Sequence, residues 1–110
     1  MKLIFICSPY RGDTELNIER ARRYCLFAHT QGVVPFAPHI HNTQFLTESI
    51  REERDAGIRM GLEILKKCDE IWLFGSQITE GMESELKTAQ RLNKQVRYFN
   101  DECQEVKTSE

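Results

Sequence analysis

The sequence has no surplus of basic charge: 15 Lys and Arg stand against 17 Asp and Glu, a formal net charge of −2. Binders of nucleic acid polymers or anionic membrane surfaces carry the opposite imbalance, so neither partner is implied. No apolar run approaches the roughly 20 residues that cross a bilayer. The opening stretch Met1-Lys2-Leu3-Ile4-Phe5-Ile6-Cys7 runs into Ser8-Pro9-Tyr10-Arg11-Gly12 without a small-residue cleavage site, which reads as a strand rather than a signal peptide. Cys7, Cys25, Cys68 and Cys103 include no Cys-x-x-Cys pair, so reduced thiols in a cytoplasmic protein are expected rather than disulfides or ligands. His39-x-His41 lacks a second ligand cluster, and no Gly-Lys-Ser/Thr ending completes a phosphate loop. Neither a metal nor a cofactor is expected.

What is present is a chain of 110 residues, enough for one domain with a real core, in which apolar runs alternate with helical spacing. Leu3 to Cys7 is a continuous run suited to a strand covered on both faces. Gly12-Asp13-Thr14 offers a turn and an N-cap, and Ile18, Ala21, Cys25 and Ala28 follow on one helical stripe up to Gly32. Val33 to Phe36 reads as a second strand, and Ala37 to about Thr43 as a loop. A long helix is expected over Thr47 to Lys67 with Ile50, Ile58, Leu62 and Leu65 inward, and Gly57 and Gly61 would allow another backbone to come close. Glu70 to Phe74, a helix from Glu80 to Asn93, and Val96 to Phe99 complete the pattern, with a polar, frayed tail over 101–110. Alternation of strand and helix implies a Rossmann-like (flavodoxin-like) three-layer α/β domain over residues 1–100, with four or five mostly parallel strands.

Ligands bind beyond the carboxyl ends of such strands, which singles out three loops. In the first, Arg11 could contact a phosphate at a helix N-terminus, or the segment is an ordinary turn with an exposed arginine. In the second, His39 could hydrogen-bond a base or sugar, or serve only the structure. The third enters a helix at Glu80-Gly81-Met82-Glu83-Ser84-Glu85. First-turn charges explain Glu80 and Glu83 through the helix dipole. Glu85 instead borders the inward stripe close to the strand ends, where the positive helix end is expected to keep it ionised, and an ionised carboxylate aimed into a cleft suits attack on an anomeric carbon.

Taken in order, Ile6 to Asp13, Pro35 to His39, Cys68 to Gly75 and Gly81-Met82-Glu83-Ser84-Glu85 through Ala89 resemble the nucleoside 2-deoxyribosyltransferase superfamily. The nearest branch looks like its small DUF4406-type members, and the 2′-deoxynucleoside 5′-phosphate N-hydrolases are more distantly similar. The resemblance implies cleavage or exchange at the N-glycosidic bond of a nucleoside or nucleotide, with Glu85 as nucleophile. It places the sugar or its 5′-phosphate against Ser8, Pro9, Tyr10, Arg11 and Gly12, and the base near His39. Gly75, Ser76, Gly81 and Met82 complete the expected binding set, in a homo-oligomer of at least two subunits. The family aspartate that precedes the third strand falls on Gly61. Asp55 is the substitute acid on the long helix, unless it merely pairs with Arg51 or Arg59 at i±4. A module of the same fold that binds nucleotides without catalysis is the alternative, and a structural domain without a small-molecule site is the third.

Overall fold

The computed structural model describes residues 1–107. Its elements run β1 (Leu3–Cys7), α1 (Thr14–Thr30), β2 (Val34–Phe36), α2 (Pro38–His41), a 3₁₀ turn (Asn42–Gln44), α3 (Arg51–Lys67), β3 (Glu70–Phe74), α4 (Glu80–Arg91), β4 (Gln95–Phe99) and β5 (Glu105–Val106). The sheet order is β2-β1-β3-β4-β5, parallel throughout except for the antiparallel β4–β5 pair. This is the expected three-layer, mostly parallel sheet.

Alternation along the strands assigns the layers. Ile4 and Ile6 of β1, with Trp72 and Phe74 of β3 and Phe99 of β4, pack against Ala21, Tyr24 and Ala28 of α1. Phe5 and Cys7, with Ile71 and Leu73, pack on the opposite face against Leu65 of α3 and Met82 and Ala89 of α4. Successive side chains of a strand point to opposite faces, so a strand buried on both must be apolar at every position. The chain crosses from β1 to β2 through α1, then back over β1 to β3 through α3. The strand order therefore reverses between β1 and β3, the position where open α/β sheets leave a crevice.

Caps and side chains set the helix ends. Asp13 accepts from the Leu16 amide at 3.1 Å and opens α1. Thr79 accepts from the Met82 amide at 3.3 Å and opens α4. The long helix begins later than its periodicity suggests, because Glu53 reaches back to accept from the Thr47 amide at 2.7 Å and residues 47–49 stay in a turn.

Three further expectations need correction. Residues 38–44 form a short helix and a 3₁₀ turn rather than an open loop, started by Pro38 at the first helical position. Ile50 and Ile58 are 42% and 54% exposed, so only part of the expected stripe faces the core. Residues 101–107 are not frayed. The Asn100 carboxamide oxygen accepts from the amides of Glu102 and Gln104 at 3.0 and 2.9 Å, turning the chain, and Glu105 then grips Arg97 through two bonds of 2.8 and 2.7 Å. Residues 108–110 of the expected tail lie outside the described residues.

The aromatic centre of the α1 layer is Phe74, stacked on Tyr24 at 4.4 Å and on Phe99 at 4.8 Å. Replacing Phe74 by Ala removes both stacks and leaves a cavity, for a loss of about 3–5 kcal/mol in urea unfolding. Leu26, 63% exposed on the same helix layer, should tolerate Ala within about 0.5 kcal/mol.

Candidate active site

The reversal point opens into a cleft of about 430 Å³. The loop after β1 contributes Ser8, Tyr10 and Arg11; α2 contributes Pro38 and His39; α3 contributes Glu53, Arg54, Gly57, Ile58 and Leu62; and the start of α4 contributes Thr79 through Met82, Ser84 and Glu85.

The loop after β1 is held from below. Asn17 of α1 is buried, and its amide nitrogen donates to the carbonyls of Tyr10 and Arg11 at 2.9 and 3.2 Å. Gly12 has φ +99, and a Cβ there would meet nothing within 4 Å, so its conformation rather than space calls for glycine. Tyr10 stacks on His39 with ring centroids 4.8 Å apart. The His39 Nε2 meets the Ser8 carbonyl at 2.8 Å, and since a carbonyl only accepts, Nε2 carries the hydrogen. Burial holds the imidazole below its ordinary value despite that bond, so the ring is neutral and Nδ1 remains an acceptor. The Ser8 hydroxyl beneath it is buried without a hydrogen-bond partner among the described residues.

Glu85 sits opposite, on the second turn of α4. Its Oε1 accepts from the Cys7 thiol at 3.1 Å. Burial raises its carboxyl to about 7, with the thiol bond drawing it partly down. The expectation that the helix end keeps Glu85 ionised is thereby corrected. The dipole acts within the first turn, whereas Glu85 lies five residues beyond Glu80, half-buried on the cleft wall against the Cys7 thiol. Burial and the charge on Glu85 push the Cys7 thiol well above its ordinary range, so it remains a protonated donor.

The other expected site residues divide. Ser8, Tyr10, Arg11, His39, Gly81 and Met82 line the cleft with Glu85, whereas Pro9, Gly12, Gly75 and Ser76 stand behind it. Gly75, at φ +118, lies where a Cβ would meet Pro9 Cδ at 3.6 Å, so these two pack against each other, while Gly12 and Ser76 are exposed. Arg11 is already engaged by Glu48 at 3.5 Å. Asp55 is not brought to the cleft: its carboxylate faces Arg51 at 4.0 Å, one helical turn away. Gly61 is buried, with Pro38 4.0 Å from where its Cβ would stand, and does not line the cleft. The acids that do line the α3 side are Glu48 and Glu53, both missed; Glu53 and Asp55, two residues apart on one helix, face nearly opposite sides, and spacing alone does not say which of them meets the cleft. Asn17 was missed as well. An Asn on an otherwise apolar helical stripe was the available signal. Among the described residues, no three His, Cys, Asp or Glu side chains converge as a metal site would need, and no helix is long and apolar enough to cross a membrane.

Known proteins place this architecture. The fold matches the 2-deoxyribosyltransferase of the psychrotolerant bacterium Bacillus psychrosaccharolyticus with a TM-score of 0.68 at 22% identity, over 89% of this chain and 72% of that one. It matches the 2-deoxyribosyltransferase of Leishmania mexicana with a TM-score of 0.63 at 20% identity, over 91% of this chain and 65% of that one. The chain thus has a nucleoside 2-deoxyribosyltransferase-like fold. Residues 2–99 match the family described as Domain of unknown function (DUF7768), and the chain belongs to it. That family stands where the sequence had suggested a DUF4406-type member. No curated protein matches the sequence.

The raised Glu85 carboxyl has a consequence for stability. Between the ordinary carboxyl value of 4.5 and about 7, the folded protein holds a proton that the unfolded chain has released. Folding stability therefore falls as pH rises through that window, by roughly 1–3 kcal/mol in total. Glu85→Gln should flatten this slope and raise the melting temperature at pH 8, as read by thermal melts from pH 4.5 to 8.

Proposed function

We propose that the protein cleaves or exchanges the N-glycosidic bond of a nucleoside or nucleotide, with Glu85 as the nucleophile. The observation that carries this reading is a half-buried carboxylate on the cleft wall of a 2-deoxyribosyltransferase-like fold, opposite the stacked Tyr10 and His39 rings. A flat aromatic pair beside a carboxylate suits a base attached to a sugar. The neutral His39 Nδ1 and the unpartnered Ser8 hydroxyl offer an acceptor and a donor for its polar edges.

In this reading a carboxylate oxygen of Glu85 attacks C1′ as the C1′–N bond breaks. The base leaves with the bonding electron pair and takes a proton, and the sugar remains as a glycosyl ester on Glu85. Water, or the nitrogen of a second base, then attacks C1′ and frees the carboxylate. The proton for the leaving base comes from the α3 side, where Glu53 and Glu48 face the opening in place of Asp55.

Incubation with a panel of deoxynucleosides, ribonucleosides and their 5′-monophosphates should release free base, followed by chromatography. Glu85→Ala should abolish release while leaving the circular dichroism spectrum unchanged. Glu53→Gln should slow release by roughly 10²–10⁴-fold, and Asp55→Asn should leave it within about threefold. Release should fall as pH drops below about 7 and Glu85 takes up a proton. Absence of turnover across the panel would overturn the reading.

The bond from the Thr47 amide to Glu53 occupies one oxygen of that carboxylate, and it favours a second reading in which the cleft binds nucleotides without turnover. A nucleotide would then raise the melting temperature by mass action with no product formed. The exposed Phe45, Ile50 and Ile58, of which Ile58 lines the cleft, support a homo-oligomer that covers them, and a clean monomer in sedimentation at micromolar concentration would remove that assembly.

A further inference from the structure

Cys7 ends β1 at the floor of the cleft and is fully enclosed. Its sulfur has two oxygens within reach, Glu85 Oε1 at 3.1 Å and the Met82 carbonyl at 3.8 Å. A thiol carries one hydrogen, and the shorter contact to the carboxylate takes it. Burial and the Glu85 charge keep that hydrogen in place. Oε1 is therefore pinned, and Oε2 has no partner among the described residues.

We propose that Cys7 is the positioning residue of this site: its buried thiol donates to Glu85 Oε1, fixes the carboxylate plane, and leaves Oε2 as the oxygen that meets the substrate. This rests on the glycosidic reading of the cleft for its catalytic consequence, although the contact itself does not.

Three physical points favour a thiol in this role. A glutamate has three rotatable bonds, and an unanchored one at a cleft wall would sample several rotamers. A strong donor such as a lysine or arginine would neutralise the carboxylate and blunt its attack, whereas S–H is a weak donor that orients it at small cost in nucleophilicity. Cys7 also sits on a central strand flanked by β2 and β3, so the anchor point is rigid.

Two measurements on the full chain test the proposal. In infrared spectra the S–H stretching band lost in Cys7→Ala should lie at the lowered frequency of a bonded thiol, and should move up in Glu85→Met, which removes the acceptor. In base-release kinetics Cys7→Ala should lower kcat by about tenfold to a hundredfold with KM within twofold, since a misplaced nucleophile spoils the chemical step and not binding. Cys7→Ser, which restores a donor of similar size, should recover most of that loss. A Cys7 band indifferent to Glu85→Met overturns the contact. Alanine and serine variants with equal kcat overturn the positioning role. A wild-type protein that turns over nothing, with the band still shifting, fails the glycosidic reading and with it the catalytic consequence, while the contact stands. Should Cys7→Ala not fold, Cys7→Ser against Cys7→Val gives the same comparison of donor and non-donor.

Discussion

A central strand walled in on both faces and along both edges has no side of its own left for chemistry, and β1 is such a strand. Ile4 and Ile6 belong to one layer and Phe5 and Cys7 to the other, while β2 and β3 take its two edges. The backbone can leave this environment only at its carboxyl end, and everything distinctive in the molecule gathers there. The loop that follows carries Ser8, Tyr10 and Arg11 into the opening, and Asn17 satisfies carbonyls that would otherwise be stranded beneath it. The helices on opposite sides of the sheet part at the same point, because the chain crosses β1 in two directions.

Electrostatics inside the opening follow from the same enclosure. Water is displaced from Glu85, from His39 and from Tyr10, and each shifts toward its neutral form: the carboxyl and the phenol upward, the imidazole downward. Glu85, His39 and Tyr10 thus form a neutral or half-ionised set near pH 7, beside the charged Arg11, Glu53, Arg54 and Glu80 of the same cleft. Farther out, at the mouth, Arg11 and Glu48 form a largely solvated pair that contributes little to stability.

Much of this was legible in the sequence because burial on two faces writes a continuous apolar run. The runs at Leu3 to Cys7 and Glu70 to Phe74 coincide with β1 and β3. The first helix was equally plain from Asp13 and its stripe. What periodicity could not show was the role of side chains that fold back on the backbone. Glu53 reaches back to the Thr47 amide ahead of α3, and it is Glu53, not Asp55, that lines the opening. Asn100 made a turn out of an apparently frayed tail. Ile58 looked like core from its spacing, but a helix beside a cleft has part of its apolar stripe facing open space. The position of Glu85 was readable, whereas its ionisation was not, since that depends on the depth of enclosure and on a thiol 78 residues away in the chain.

The two outer strands carry a consequence for how copies of this chain can meet. β2 is three residues long with Pro35 at its middle, and β5 is two residues long and runs against its neighbour. Proline cannot donate to an incoming strand, and so short a ladder gives a newcomer little to read. Sheet extension, the commonest route from a stray encounter to a fibril, is thereby obstructed at both margins. What the sheet margins refuse, the helical layer leaves open: Ile58 is half-exposed on α3 and lines the cleft, so anything docking on that flank would lie across the entrance.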